Sequence, residues 1–296
     1  MSTNYENYKI FYFVAKYGNI TAAAEALYSE QPNVTRSIKN LERDLGCVLF
    51  TRSNKGVALT PEGENLYNRV SIAYRQISAA EEELGRRNTL EEGTIRIGVS
   101  ETALHEVLLS ALSSYHSMYP RIKFSLVNLT NSQSIGAVKN QAVDFALIAT
   151  PFNADKTLTT VPIKKFQDIV VCGSRYKYLT NEKVGFAEIS KHCIVSLNRT
   201  TKTYEYYLAM FRKYGLDFAP DIEVSTSNQI LPIVKNNLGI GFVPSSFADK
   251  ELASGEVFKL DTEEPIEPRE IFLIKRSDFS LSVAAKAFEK ILTTDY

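Results

Sequence analysis

From residue 94 onward, short apolar runs alternate with amphipathic stretches, and no other feature limits the fold so strongly. The runs 94-TIRIGVS-100, 122-IKFSLVN-128 and 143-VDFALIA-149 read as strands. They are separated by a helix running through Met118 and a short helix near 132–140. A second unit of the same kind begins near 167: 168-DIVVCGS-174, 193-CIVSLN-198, a helix over 203–214, 222-IEVST-226, a helix to Asn237, and 240-IGFVP-244. The strand 270-EIFLIK-275 and an amphipathic helix over 281–292 close the chain. Strands that alternate with helices are joined by crossovers, which implies parallel pairing. The chain is therefore expected to be α/β overall.

The first sixty residues follow a different rhythm. Tyr8, Phe11, Val14 and Ala15 recur at helical spacing, and Gly18 ends the run. Thr21 is placed to cap a second helix, 21-TAAAEAL-27, whose alanines permit close packing. In 31-QPNVTRSIKNLERDLG-46, Val34, Ile38, Leu41 and Leu45 fall at steps of four, three and four and should face a core. Thr35, Arg36, Lys39, Asn40 and Arg43 take the opposite side. The stretch 47-CVLFTRSNKGVALT-60 then offers two short β runs around the turn Ser53-Asn54-Lys55-Gly56. Three helices and a hairpin outline a winged helix-turn-helix.

Charge enters here. Lys plus Arg (34) balances Asp plus Glu (34), so any footprint for nucleic acid must be local. Residues 31–60 hold five basic and two acidic side chains. A basic amphipathic helix alone is either a solvated surface or a groove reader. The hairpin directly behind it, carrying Arg52, Ser53, Asn54 and Lys55, tips the reading toward DNA. Arg is suited to guanine, and Gln or Asn to adenine.

Between these regions lies a helix over 61–87. Thr60 can cap it, Pro61 suits its first position, and Glu62 and Glu64 favour its positive end. Leu66, Val70, Ala73, Ile77, Ala80 and Leu84 follow at alternating steps of four and three. That stripe is either a heptad seam for a partner helix or one face of a helix lying on its own domain. The polar flanks favour the partner. Gly85 breaks the pattern, and 86-RRNTLEEG-93 reads as a polar hinge.

The pattern 18-GNITAAAEALYSEQPNVTRSIKNLERDLGCVLFTRSNKGVALTPEG-63 resembles the LysR-type transcriptional regulators. It carries the Ala-Ala pair, the Gln-Pro opening of the third helix, the Ile38…Leu41-Glu42 run, Leu49-Phe50…Arg52, and Leu59-Thr60…Gly63. The likeness extends more loosely through the heptad helix, Gly93 with Ile95…Ile97-Gly98, and 238-LGIGFVP-244. One position departs: Glu30 stands where the family carries a serine cap before Gln-Pro.

The resemblance implies an N-terminal winged helix-turn-helix over 1–60, a linker and dimerisation helix over 61–87, a hinge over 88–93, and an effector-binding domain over 94–296. That last domain would have the type II periplasmic-binding-protein fold, with subdomain I at 94–164 and 268–296 and subdomain II at 165–267. It also implies that Gln31, Pro32, Asn33, Thr35 and Arg36 touch bases or flanking sugar-phosphate. Arg52 would enter the adjacent minor groove, and Thr21 and Thr60 would hold phosphates. Lys39 and Lys55 complete the basic set. The partners implied are a double-stranded DNA operator with paired half-sites, a second copy (homodimer, and homotetramer as is usual in the family), and RNA polymerase if the protein activates.

Ligands of open α/β sheets sit at the carboxyl ends of strands. In the resembled fold this singles out Ser100, Thr102, Asn128, Thr130, Thr150, Ser196, Asn198, Thr203 and Thr226 as effector-binding candidates. Hydroxyls and helix N-terminal amides suit a small anion such as a carboxylate. Arg199 and Lys202 could add charge.

Other classes fit poorly. His105, His116 and His192 are isolated, and no P-loop, GxGxxG or Ser/His/Asp elbow occurs, so neither an enzyme nor a metal or other cofactor is expected. No run reaches the ~20 apolar residues of a membrane span. MSTNYENYKIF lacks the form of a secretory signal, which argues for a cytoplasmic protein and against a solute-binding protein with an unrelated extension. Cys47, Cys172 and Cys193 form no CxxC. A thiol-based redox sensor on the same scaffold, using Cys172 and Cys193, is the remaining alternative.

Overall fold

Asn4 and Asn19 each fold their side chains over the start of a helix, and the N-terminal architecture follows from there. The computed structural model describes residues 4–53, 56–85, 92–153 and 156–294. The chain divides into two units, Met1–Asn88 and Thr89–Tyr296.

In the first unit, Asn4 Oδ1 accepts from the Glu6 amide at the head of α1 (Tyr5–Tyr17), which Gly18 terminates. Asn19 Oδ1 accepts from the amides of Thr21 and Ala22 and so caps α2 (Ile20–Ala26). The cap is thus Asn19 rather than Thr21, because the helix starts one residue before the threonine. Helix α3 (Gln31–Leu45) begins at Glu30, whose side chain makes no capping bond. Val34, Ile38 and Leu41 are buried against Phe11, Val14, Ala23 and Ala24. Leu45 departs from the expectation and is exposed, since it lies in the last turn, beyond the edge of this core.

Strands β1 (Phe50–Ser53) and β2 (Gly56–Leu59) pair antiparallel as the wing. Two glycines allow the close approaches that seat it. A Cβ on Gly56 would stand 2.5 Å from Gly18 O, and one on Gly63 would stand 2.2 Å from Leu49 O. Glu42 fastens the wing to α3, its Oε1 accepting from the amides of Leu49 (2.8 Å) and Phe50 (3.3 Å). Glu42→Ala should therefore destabilise this unit by about 1–3 kcal/mol, the penalty of stranding those donors. Glu42→Gln, which keeps an acceptor oxygen, should recover most of it. Urea melts of the two variants check both.

Helix α4 (Pro61–Gly85) carries the stripe at 66–84. Its first half lies on its own unit: Val70 is buried there, Leu66 packs beside it, and Tyr67 and Tyr74 stack on Tyr12 with ring centroids 5.8 and 4.6 Å away. Ala73 and Ile77 are exposed. Lys55 and residues 86–91 of the hinge lie outside the described residues, as do the side chains of Arg52, Ala80 and Leu84.

The second unit contains two five-stranded sheets. The first is ordered β4-β3-β5-β12-β6, from β3 (Gly93–Val99), β4 (Ile122–Asn128), β5 (Phe145–Ala149), β6 (Leu158–Phe166) and β12 (Arg269–Arg276). Its helices are α5 (Glu101–Ala103), continued by a π-helical turn (Leu104–Leu108) into α6 (Leu109–Met118), then α7 (Asn131–Lys139) and α12 (Val283–Thr294). The second sheet is ordered β11-β7-β10-β8-β9, from β7 (Asp168–Cys172), β8 (Ile194–Leu197), β9 (Ile222–Val224), β10 (Ile240–Pro244) and β11 (Phe258–Leu260). It carries α8 (Phe186–Ile189), α9 (Lys202–Arg212), α10 (Ile230–Lys235) and α11 (Ser245–Ser254). Each sheet has cores on its faces, Ile97, Phe145 and Phe288 in the first, and Phe186, Phe211 and Phe242 in the second.

The sheets are mixed, which corrects the expectation of purely parallel ones. β3 runs parallel to β4 and β5, but β12 enters antiparallel between β5 and β6. In the second sheet β7 opposes β10 and β11. These strands arrive from the other lobe rather than from a crossover helix, so their direction is set by the crossing. The polar run 158-LTTVPIKKF-166 forms β6, a strand that was not anticipated. It sits at a sheet edge, where Pro162 is tolerated.

Candidate functional sites

Along α3, Gln31, Pro32, Thr35, Arg36, Lys39, Asn40 and Arg43 line a single open concavity. Burial of Val34, Ile38 and Leu41 forces this, because the helical period leaves the intervening residues on the far side. Arg36 and Lys39 are exposed. Arg43 is exposed and 3.7 Å from Asp44. Asn33 is exposed but lies off the stripe. Thr21 stands exposed in the first turn of α2; its amide is given to Asn19, so its hydroxyl is the group it can offer a phosphate. Thr60 does not join this set. It is buried, and its hydroxyl donates to Val48 O (2.7 Å) while accepting from the Gly63 amide (3.0 Å). It caps α4 and ties it to the wing.

In the second unit the chain passes between sheets twice, at 166–168 and 260–269, and a cleft opens between the lobes. Four helical N-termini border it. Ser100 Oγ accepts from the Ala103 amide at the start of α5, and Thr130 forms a reciprocal capping box with Gln133 ahead of α7. Thr201 Oγ1 accepts from the Tyr204 amide ahead of α9, and Thr226 boxes with Gln229 before the 3₁₀ turn Ser227–Gln229 that leads into α10. The first amides of a helix have no partner within it, and the dipole adds positive potential there.

Six of the nine effector-binding candidates line this cleft: Ser100, Thr102, Asn128, Thr130, Thr203 and Thr226. Three do not. Thr150 turns its hydroxyl to the Glu270 amide (3.0 Å), and Asn198 Oδ1 is taken by Thr200. Ser196 is buried within β8. The cleft adds residues that sequence reasoning passed over, among them Glu101, Asn131, Thr201, Ser225, Ser227 and Arg269. Thr201 and Ser227 carry the hydroxyl signature of a helix start, and that signal was available. Arg269 gives no local sign.

Arg269 is buried, and each of its guanidinium nitrogens has an acceptor. Its Nε donates to Thr150 O (2.8 Å), its Nη1 to Asp168 Oδ2 (3.1 Å) and its Nη2 to Thr203 Oγ1 (3.0 Å). The rings of Phe166 and Tyr206 lie 5.2 and 5.1 Å from the guanidinium carbon. Tyr207 also donates to Asp168 Oδ2 (2.9 Å), and burial, then the Asp168 charge, pushes its phenol well above the usual range. Lys202 lines the cleft and pairs with Glu205, whereas Arg199 pairs with Glu223 outside it.

The two thiols of this unit are held protonated. Burial pushes Cys172 up to about 11, and burial with the nearby Asp221 raises Cys193. A thiol at about 11 is thiolate in roughly one molecule in ten thousand at neutral pH, a poor start for redox sensing. Among the described residues no His, Cys, Asp or Glu group is arranged to hold a metal, and no helix is long and apolar enough to cross a membrane.

A winged helix-turn-helix and a two-lobed α/β cleft in one chain define a DNA-binding regulator that answers to a small ligand. Residues 5–64 match the bacterial regulatory helix-turn-helix domain of the lysR family, and residues 88–295 match the LysR substrate binding domain. The chain belongs to the LysR family of transcriptional regulators. Similar proteins include the HTH-type regulator YofA of Bacillus velezensis, 27% identical over 96% of this chain and 94% of that protein. YoaU of Bacillus subtilis is 26% identical over 99% and 98%. In architecture the chain resembles CbnR solved with its target DNA (TM-score 0.71, 18% identity, 98% of each chain covered). It also resembles a full-length OxyR variant from Pseudomonas aeruginosa (TM-score 0.75, 18% identity, 99% and 94% covered). Family membership sets aside the reading as a solute-binding protein without DNA function.

Proposed function

We propose that this regulator binds paired half-sites as a dimer or tetramer and adjusts that grip when a small anionic effector enters the cleft. The observation that carries the effector class is the gathering of four capped helical N-termini around one cleft. Unpaired amides and the positive ends of helix dipoles favour a carboxylate or a similar anion. The hydroxyl protons of Ser100 and Thr102 supply further donors. Arg269 serves the site by holding Thr203 in place, with its charge already matched by Asp168.

On the DNA side, the first residues of a recognition helix meet base edges in the major groove. This gives Gln31, Thr35 and Arg36 the base contacts and gives Lys39, Arg43 and Thr21 the backbone. Arg52 and Lys55 of the wing reach the flanking groove. CbnR solved with its target DNA supports the same use of the fold. Dimerisation draws on the second half of α4, where Ala73 and Ile77 are exposed, since Leu66 and Val70 are committed to their own unit. Such a regulator works where the chromosome is, in the cytoplasm.

Ser100→Ala combined with Thr102→Ala tests the effector site. A thermal-shift panel of small carboxylates on the full chain identifies a binder, because ligand stabilises the native state by mass action. The double variant should bind it at least tenfold more weakly and lose its effect on operator affinity. Unchanged ligand response in the double variant would refute the cleft assignment.

A further inference from the structure

Of all side chains lining the cleft, Glu101 fits a purely anionic ligand least. It is the one carboxylate in the lining, and its side chain is 15% exposed. The cationic lining residues, Lys202 and Arg269, are each matched by an acid, Glu205 and Asp168. Glu101 is paired with no lysine or arginine among the described residues. Its Oε2 accepts from Asn128 Nδ2 (2.7 Å) and its Oε1 from Asn228 Nδ2. Amides orient a carboxylate without cancelling its charge.

His105 is the remaining neighbour, with Nε2 3.4 Å from Glu101 Oε1. Asn228 Nδ2 lies within hydrogen-bonding reach of Glu101 Oε1 and, at 3.2 Å, of His105 Nε2. An acidic side chain thus stands at the wall of a cleft whose other borders favour negative charge.

A bipolar cleft selects a bipolar ligand. A carboxylate has about four lone-pair sites. The two asparagines use two, which leaves acceptors for an ammonium group. Size narrows the choice further. The cavity is about 80 Å³. A water needs ~10–15 Å³ on this measure, so the space suits a ligand of roughly five to eight non-hydrogen atoms.

We propose that the effector is a small zwitterion, an α-amino acid of about the size of alanine or serine. Its ammonium would sit on Glu101 and its carboxylate on the donors contributed by Thr102 and Thr203. The proposal rests on the cleft being the effector site and specifies the ligand's chemistry there.

Calorimetric titration of the full-length protein with two matched sets tests it. One set is L-serine, 3-hydroxypropionate and ethanolamine, and the other is L-alanine, propionate and ethylamine. At least one amino acid should bind tenfold or more tightly than both its des-amino and its decarboxylated analogue. In Glu101→Gln that preference over the des-amino acid should shrink to less than threefold. If the plain carboxylates bind as tightly as the amino acids, the zwitterion proposal is wrong while the anionic cleft stands. If no carboxylate in either set binds, both are wrong. Because Glu101 bridges the two lobes, the wild-type comparison decides the matter even where the variant fails to fold.

Discussion

Arg269→Met should destabilise the effector-binding unit by about 3–5 kcal/mol, the largest single-residue effect expected in this chain. The reason lies in what remains behind. Asp168 is wholly buried, its Oδ1 has no hydrogen-bond partner among the described residues, and its Oδ2 is held by Arg269 and Tyr207. Without the guanidinium, a carboxylate stays in the interior with only a phenol to hold it. Thr150 O loses its Nε donor at the same stroke, and Thr203 loses the group that orients its hydroxyl toward the cleft. With a urea slope of ~3 kcal/mol/M, the midpoint of this unit should fall by roughly 1–1.7 M. Arg269→Lys should recover only part of the loss, because an ammonium cannot span the three acceptors that the planar fork reaches. Replacing both partners, Asp168→Leu with Arg269→Met, should be milder than Arg269→Met alone, since no charge is then stranded. A double variant as unstable as the single one would show that the pair is not the source of the effect.

The same residue marks the limit of what the sequence discloses. The helices of the first unit are legible because their determinants are local. Apolar side chains recur at the helical period, and Gly18 and Gly46 stop the runs. The cleft is legible in part for a similar reason. Ser100, Thr130 and Thr226 precede helices, and hydroxyls before helices are recognisable wherever the chain goes. Arg269 meets Asp168 across 101 residues of sequence, and its place depends on β12 slipping between β5 and β6. No short pattern encodes that insertion. Glu101 was overlooked for another reason. An acid in the first turn of a helix is ordinary, and its significance arises only when Asn228 reaches it from the other lobe. The stripe at 66–84 shows a third kind of limit. Leu66 and Val70 have the spacing of a partner seam but are consumed by the unit's own core, because the heptad period and the face of a packed helix coincide over two turns. Strand β6 is hard to read because its buried residues, Leu158, Ile163 and Phe166, do not alternate with period two and Pro162 interrupts the run.

Arg36→Ala is expected to weaken operator binding by about 1–3 kcal/mol, roughly 5- to 150-fold, and to relax base preference at one position in each half-site. Arg36 is exposed on the stripe between Thr35 and Lys39, one turn into the recognition helix, and the buried residues beneath it fix the direction it projects. A guanidinium there can place two donors on guanine, so its loss should be felt mainly on the preferred sequence. Lys39→Ala gives the contrast. A lysine one turn further along meets phosphate, so its loss should weaken binding to all sequences alike and reduce the slope of affinity against salt by about one. Gel-shift titrations of both variants against the operator and single-base substitutions of it, at two salt concentrations, separate the two roles. If Arg36→Ala leaves base preference intact while flattening the salt dependence, the arginine is a backbone contact. The reading of bases would then pass to Gln31 and Thr35, which share its stripe.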